Sequence, residues 1–294
     1  MSNLFFVIVN YYSSELIDRL LQSLTVDYQL KFQAVIVNNS LDDVFIGNLS
    51  SEGIHVIEAP ENLGFGRACN LGLDWIFSQD PQAIVWLINP DTYFPSEANL
   101  AIESPPQKAI ALFQQYPQLS IVGTTVYDPA GQLIDAGGKF QPGTAAITIV
   151  NTFPSDCTAE YLPVDWVSGC SLLLNLANFA TCPHFDPRYF LYYEDLDFCL
   201  RYGQQHQIVI APQIRVIHET SSITDRNLGI KYRHITHSYL IHIEKHGNLP
   251  TFIITNLRMA VNTLRLLVFR PQQGRGKLKG MYHYWHTRFI KIQN

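Results

Sequence analysis

Leu4-Phe5-Phe6-Val7-Ile8-Val9-Asn10 is six apolar residues in unbroken succession, closed by one amide. A short run without polar alternation is what a strand buried on both faces requires. The pattern then recurs. Ala34-Val35-Ile36-Val37 ends at Asn38, Ile54-His55-Val56-Ile57 is a third short run, and residues 83–88 end at Asn89-Pro90-Asp91. Helix-spaced stretches separate them. One has apolar residues at 16, 17, 20, 21 and 24, with Ser13 or Ser14 to cap it, and another covers 70–77 after a loop holding Gly64 and Gly66. Apolar strands alternating with helices predict an α/β fold with a mostly parallel sheet covered on both faces. Ligands of such sheets bind beyond the carboxyl ends of the strands. Asn10, Asn38, Asn39 and Asp91 all fall there. Asn and Asp also favour turns, but polar residues at three such ends point to a site.

Farther along, a helix is expected over 100–116, with Pro105-Pro106 at a break or cap. Strands are expected over 120–127 and 133–140, joined by Asp128-Pro129-Ala130-Gly131. Residues 141–160 carry no pattern and read as a loop. A strand over 164–174 is interrupted by Ser168-Gly169. A helix over 194–204 closes near Gly203, and strands over 208–211 and 214–217 lead to His218.

The composition narrows the class. Of 294 residues, 47% are hydrophobic and 15% charged, which excludes a disordered chain. The five cysteines form no C-x-x-C pair, giving no support for a zinc site or disulfide framework and fitting a reducing compartment. The run 4–9 is short and lacks a basic start, so no signal peptide is expected. No uninterrupted apolar stretch of about 18 residues occurs, so no membrane span is expected either. The expected location is cytoplasmic, or peripheral at the inner face of the cell membrane. The net charge of −5 conceals an asymmetry, because residues 245–294 hold nine Lys and Arg and no acid. A basic, apolar tail on an acidic body suits a membrane surface or a polyanion. Nucleic acid is not expected as a partner, since no base-reading motif occurs.

Four constellations carry chemistry. Asp91, at a strand end, can hold Mg²⁺ or Mn²⁺, which take oxygen ligands and share them with phosphates. Glu194-Asp195-Leu196-Asp197 gathers three carboxylates at the start of a helix, whose dipole relieves part of their repulsion. Asp195 there can act as a general base toward an acceptor hydroxyl. Gly64 and Gly66 precede a helix and allow a backbone to approach a ligand or another segment closely. Neither a dinucleotide fingerprint nor a Walker loop is present, since Cys69 stands where the third glycine would be and no Gly-Lys-Ser/Thr follows. His218 follows a strand and can join oxygen ligands around Mn²⁺.

These pieces, in this order and spacing, resemble glycosyltransferase family 2, an inverting group with the GT-A fold, over about residues 4–245. The chain carries Val35-Ile36-Val37-Asn38-Asn39-Ser40, Asn62-Leu63-Gly64-Phe65-Gly66 through Asn70, Leu87-Ile88-Asn89-Pro90-Asp91, and Trp166-Val167-Ser168-Gly169-Cys170. Phe185-Asp186-Pro187-Arg188-Tyr189-Phe190-Leu191-Tyr192-Tyr193-Glu194-Asp195-Leu196-Asp197 through Arg201 is similar to the signature of the rhamnosyltransferase-like branch. The resemblance implies a GT-A domain over 1–245, with a nucleotide-binding half over about 1–95 and an acceptor half over 96–245. A helical, basic tail follows over 246–294. It implies donor contacts from Asn10, Tyr11, Asn38, Asn39, Ser40, Asn62, Gly64, Phe65, Gly66, Asn70, Asn89 and Asp91. It puts Trp166, Ser168, Gly169, Asp197 and Arg201 on the acceptor side. The metal ligands are Asp91 and His218, and the base is Asp195, with Glu194 as the fallback. Asn38 replaces the usual Asp, yet can still accept and donate hydrogen bonds to a pyrimidine.

The implied reaction is metal-dependent transfer of a sugar from a nucleoside diphosphate to a hydroxyl. The donor leans toward dTDP-rhamnose, with UDP-hexoses or UDP-galactofuranose next. The acceptor is a surface glycan or its lipid-linked precursor, and an oligomer remains open. A nucleotidyltransferase would need a basic, Gly-rich loop after the first strand, where Asn10-Tyr11-Tyr12-Ser13-Ser14 stands. A non-catalytic sugar-nucleotide-binding partner is the other alternative, kept open by Asn38 and Asn89. In the tail, residues 252–269 form an amphipathic helix with Thr255, Arg258, Asn262 and Arg265 on one face. With Arg275, Lys277, Lys279 and the aromatic Tyr282, Tyr284, Trp285 and Phe289, it can lie in a membrane interface or pack on protein.

Overall fold

A computed structural model describes residues 3–28, 32–43, 45–49, 52–95, 103–153, 158–219 and 227–293. The chain runs β1 (Leu4–Asn10), α1 (Ser14–Tyr28), β2 (Gln33–Asn38), β3 (Ile54–Glu58), α2 (Phe65–Gln79), β4 (Ile84–Ile88) and β5 (Thr92–Tyr93). It continues through α3 (Pro105–Gln115), β6 (Ile121–Tyr127), β7 (Leu133–Asp135), β8 (Gly138–Gln141), β9 (Ala146–Ile149), β10 (Leu162–Pro163) and β11 (Ser171–Asn175). It ends with α4 (Glu194–Tyr202), β12 (Ile208–His218), α5 (Leu228–His246), α6 (Leu249–Phe269) and α7 (Pro271–Gln293).

The main sheet has the order β10-β12-β6-β11-β4-β1-β2-β3. β3, β2, β1 and β4 are parallel, β11 runs antiparallel between β4 and β6, and β12 is again parallel to β6. The architecture is therefore α/β with a mixed, mostly parallel sheet. Alternation along β1 explains why it is apolar throughout. Phe5, Val7 and Val9 face the layer of α2 and α4, whereas Leu4, Phe6 and Ile8 face that of α1 and α3. Trp86 sits fully buried in β4, stacked on Phe6 at 5.6 Å. Its indole N–H donates to Ser171 Oγ at 2.8 Å, so the polar tip is satisfied.

Several boundaries differ from the sequence expectation. α2 begins at Phe65, not at 70, since the glycine loop passes straight into the helix. Pro105 and Pro106 open α3 behind a Ser104–Gln107 capping box, while residues 100–102 lie outside the described residues. The strand expected over 133–140 is two, β7 and β8, and β9 pairs with β8 as a hairpin within the patternless 141–160. No strand covers 164–170, because Trp166 makes only a bridge to Gly138 and pairing resumes at Ser171. The two strands expected on either side of Pro212 are one, β12, with a register shift between Ala211 and Arg215. Pro212 has no N–H for the ladder, which explains the irregularity.

α5, α6 and α7 pack on one another. Three glycines bring α7 close: a Cβ on Gly274, Gly276 or Gly280 would stand 2.5, 2.4 and 2.5 Å from backbone of Leu267, Gly229 and Arg233. α6 has the length and mean hydropathy, 1.4, of a membrane-crossing helix, although no uninterrupted apolar run announces it. Leu257, Val261, Leu264 and Val268 are exposed on it, and Met259 and Thr263 are buried against its neighbours.

α5 is tied to α4 by charge. Asp197 is fully buried and receives Arg201 Nε at 2.8 Å, His246 Nε2 at 2.9 Å and the Lys245 ammonium. Lys245 also reaches Asp186 Oδ2 at 2.7 Å. Burial pushes the Asp197 carboxyl up, but hydrogen bonds from His246, Lys245 and Arg201 outweigh it and hold the group at about 2. Arg201 also donates to the His184 carbonyl at 2.6 Å. Asp197, expected on the acceptor side, is thus engaged in joining α4 to α5, and Arg201, expected there too, braces it from within α4 and stays partly exposed. Removing one partner of a buried network leaves charge unpaired and costs about 3–5 kcal/mol. Asp197→Asn is expected to lower the urea unfolding free energy by about that amount. A depressed carboxyl stabilises above its ordinary 3.8 and loses that contribution as pH falls through about 2, so the variant also lacks this acid step.

Candidate active site

Parallel pairing puts Asn10, Asn38 and Glu58 side by side at the ends of β1, β2 and β3. They form a hydrogen-bonded row: Asn10 Nδ2 donates to Asn38 Oδ1 at 3.0 Å, and Asn38 Nδ2 donates to Glu58 Oε2 at 2.7 Å. Asn10 Oδ1 accepts from Ser13 N–H at 3.0 Å. Asn10 and Asn38 are buried, so they shape the rim from beneath. The rings of Tyr11 and Tyr12 are exposed above it, 5.0 Å apart and edge-on, where a planar base can stack. Ser40 Oγ accepts the Tyr12 N–H at 2.8 Å and holds that turn, in which Tyr12 has φ 49°.

The glycine loop approaches the chain itself. Gly64 has φ 79°, and a Cβ there would lie 2.0 Å from the carbonyl oxygen of Phe190. Gly66 meets the Phe185 side chain and Glu194 in the same way. Asn39 Oδ1 accepts the Leu63 N–H at 2.8 Å, its Nδ2 donates to Asn62 Oδ1 at 3.0 Å, and Asn62 Oδ1 also accepts the Gly64 N–H at 3.0 Å. Asn70 clamps Phe185 from both sides, donating to its carbonyl at 3.0 Å and accepting its N–H at 2.8 Å. Of the residues expected to touch the donor, Asn39 and Asn62 thus tie the loop to the end of β2, and Gly64, Gly66 and Asn70 dock the loop and α2 onto residues 185–190.

That docking delivers the carboxylates. Tyr192 and Tyr193 both have positive φ, 71° and 68°, immediately before α4. Such backbone costs about 1–3 kcal/mol per residue and persists only where its surroundings fix it. Glu194 turns inward and is buried near Gly66 and Cys69, with Oε2 lacking a hydrogen bond. Burial, then the neighbouring Asp195, push its carboxyl up to about 8, so it is a neutral acid at pH 7. Asp195 is half-buried. Its Oδ2 accepts the Gly169 N–H at 2.9 Å and its Oδ1 accepts the Leu196 N–H at 2.8 Å. Burial raises the Asp195 carboxyl and these N–H groups pull it back, leaving it above its ordinary value. A Cβ on Gly169 would stand 3.1 Å from the Phe65 ring and 3.3 Å from Asp195 Cβ. Trp166 is buried, whereas Ser168 is partly exposed beside this turn.

Asp91 Oδ1 and His218 Nε2 lie 3.0 Å apart, although 127 positions separate them. β5 brings them together by pairing Thr92 with His218. One carboxylate oxygen and one imidazole nitrogen converging in this way fit two ligands of Mn²⁺ or Mg²⁺, leaving further positions for phosphate oxygens and water. The side chain of Asn89 makes no hydrogen bond among the described residues; its carbonyl accepts from Thr92 Oγ1 at 2.6 Å. Sequence reading missed Asp135 at the end of β7. Its carboxyl is raised to about 6, first by burial, with Asp195 and His218 close enough to act on it. Nothing local marks it; only the sheet brings it to this rim. Asp74, Cys182 and His184 also converge, within 4.8 Å, in a cluster that the scattered cysteines did not reveal.

A buried acid with a raised value stabilises most below its ordinary 4.5 and loses that contribution as pH rises through about 8. The unfolding free energy of the wild type is therefore expected to fall between ~pH 4.5 and ~pH 8, by on the order of a few kcal/mol. Glu194→Gln is expected to flatten that slope.

Residues 5–105 match the family described as Glycosyl transferase family 2. Over 201 residues the chain is 26% identical to an N-acetylglucosaminyl-diphospho-decaprenol L-rhamnosyltransferase of Mycobacterium tuberculosis, covering 59% of this chain and 61% of the relative. It is 23% identical over 203 residues to the low-salt glycan biosynthesis hexosyltransferase Agl10 of Haloferax volcanii, covering 68% of this chain and 62% of that one. The chain thus spans about three fifths of the length of these curated relatives. Among solved structures, the mannosyltransferase PcManGT of Pyrobaculum calidifontis, in complex with GDP-Man and Mn²⁺, superposes with a TM-score of 0.55 at 10% identity. That match covers 96% of this chain and 87% of the other, and establishes the GT-A-like fold.

Proposed function

We propose that this chain is a family 2 glycosyltransferase that moves a sugar from a nucleoside diphosphate donor to an acceptor hydroxyl, with inversion. One observation carries the reading: Asp91 with His218, and Asp195 held by Gly169, share one rim at the carboxyl ends of the strands. Asp195 accepts the acceptor's proton while that oxygen bonds to the anomeric carbon. The bond from that carbon to the diphosphate oxygen breaks, and the diphosphate leaves with the electron pair. Attack opposite to the leaving group inverts the centre, and no second carboxylate nucleophile is needed. A divalent cation held by Asp91 and His218 would supply positive charge beside the leaving diphosphate. Asp195 is favoured over Glu194 as the base because Glu194 is buried and neutral.

The name of the mycobacterial relative supports L-rhamnose as the donor sugar and a polyprenyl-diphosphate-linked acceptor. A lipid-linked acceptor fits a cytoplasmic protein seated on the inner face of the membrane. The exposed side of α6 suits the interface better than a span, since Arg258 and Arg265 lie mid-helix and exposed. The excess of basic residues beyond Glu244 matches anionic lipid.

The test is release of nucleoside diphosphate from a panel of dTDP-, UDP- and GDP-sugars with Mn²⁺. One donor is expected to turn over, and EDTA to stop it. Asp195→Asn is expected to cut the rate by about 10²–10⁴ with donor affinity retained. The rate should fall on acidification through a value above the ordinary 3.8 of Asp. Full turnover by Asp195→Asn would reject the assignment. Binding of a donor without turnover by the wild type would favour the non-catalytic reading. For the membrane, the wild type is expected to co-sediment with phosphatidylglycerol vesicles and the double variant Leu257→Glu/Val261→Glu to stay in solution. Equal behaviour of the two would reject the interface.

A further inference from the structure

Beside the donor loop lies a cavity of about 420 Å³ that the proposed reaction does not use. Arg67 of α2, Arg188, Arg233, His234 and His237 of α5, and His283 of α7 line it. No Asp or Glu lines it among the described residues. Two of the arginines have counterions outside the wall: Arg188 pairs with Asp186 at 2.7 Å, and Arg67 approaches the exposed Glu61 at 3.8 Å. Arg233 has no ion pair among the described residues. The imidazoles are held in place, His234 stacked on Phe190 at 4.5 Å and His237 edge-on to His283 at 4.5 Å. A wall with three guanidinium groups and no carboxylate of its own attracts an anion.

We propose that this cavity is a second anion site, separate from Asp91 and His218, and that it takes a diphosphate. Three guanidinium groups around one cavity match the charge and the several acceptor oxygens of such a group. The location favours the acceptor. The Phe190 carbonyl accepts the Phe65 N–H at 3.0 Å, and the Phe65 ring lies against Gly169, which donates to Asp195. The cavity wall is thus continuous with the surroundings of the base. A sugar carried on a lipid diphosphate could be held there by its diphosphate, an extension that rests on the transferase reading; the anion site itself does not. Free pyrophosphate is the other source with the same chemistry. The electrostatics agree. Burial, then Arg233 and His283, hold His234 near 4; burial, then His283, His234 and Arg233, hold His237 near 4; and burial, Arg233 and His286 lower His283.

The test is calorimetric titration with inorganic pyrophosphate in EDTA, so that no metal site can form. The wild type is expected to bind, and Arg233→Gln and Arg67→Gln to bind at least about tenfold more weakly, the weight of a charge-assisted hydrogen bond. Asp91→Asn is expected to bind like the wild type. In histidine NMR spectra, the His234 and His237 signals are expected to titrate at higher pH with pyrophosphate bound. Geranyl diphosphate separates the sources: tighter binding than pyrophosphate assigns the site to a lipid diphosphate, and equal binding to a free one. No binding in EDTA, or binding kept in Arg233→Gln and lost in Asp91→Asn, would overturn the site. Absence of donor turnover with pyrophosphate binding intact would instead reject the transferase reading and leave the anion site standing.

Discussion

Gly64 faces the carbonyl of Phe190 in an approach that leaves no room for a side chain. The placing of the proposed base hangs on that contact. It joins the half built from β1 to β4 to the segment that carries the acids, and Asn70 locks the join by hydrogen-bonding both polar groups of the Phe185 backbone. Once residues 185–190 are fixed, two left-handed tyrosines turn the chain into α4. That turn buries Glu194 and leaves Asp195 on the Gly169 N–H. Two adjacent carboxyls thereby receive opposite surroundings. Burial keeps one neutral, whereas backbone N–H groups keep the other closer to its ordinary range.

The mostly parallel sheet and the identity of its rim were legible because a doubly covered sheet writes itself as short, wholly apolar runs ending on polar residues. Asp91 and His218 were legible for the same reason, each closing such a run. Other roles were not, since they depend on what the fold brings opposite. Gly64 and Gly66 announce close approach but not its object, which is the chain's own 185–190 segment. Asp197 looked like part of an acidic cluster, and nothing local shows that Lys245 and His246 neutralise it from α5. Asp135 closes the short strand β7, and only the pairing of β7 with β6 carries it to the rim. The β8–β9 hairpin escaped notice because its second strand, though Ala146-Ile147-Thr148-Ile149 is apolar and β-branched, is short and fully exposed and pairs only with β8.

The three closing helices extend the same electrostatic division. Carboxylates are confined to residues before 245, and the tail is uniformly basic. Where the two parts meet, Lys245 and His246 are consumed by Asp186 and Asp197, and Arg288 by Glu244. Arg233, His237 and His283 are left facing a cavity with no acid in its wall. The exposed apolar side of α6 and this cationic cavity together offer what the proposed lipid-linked acceptor would need, an apolar surface and a site for its diphosphate.

The account's central claim is that the Gly64–Phe190 contact positions the base, and steady-state turnover of Gly64→Ala beside its thermal melt and donor affinity tests it most directly. The account predicts a protein that still melts cooperatively and binds donor, yet turns over ~100-fold more slowly, the cost of displacing a catalytic group by about 1 Å. Turnover at the wild-type rate would contradict it.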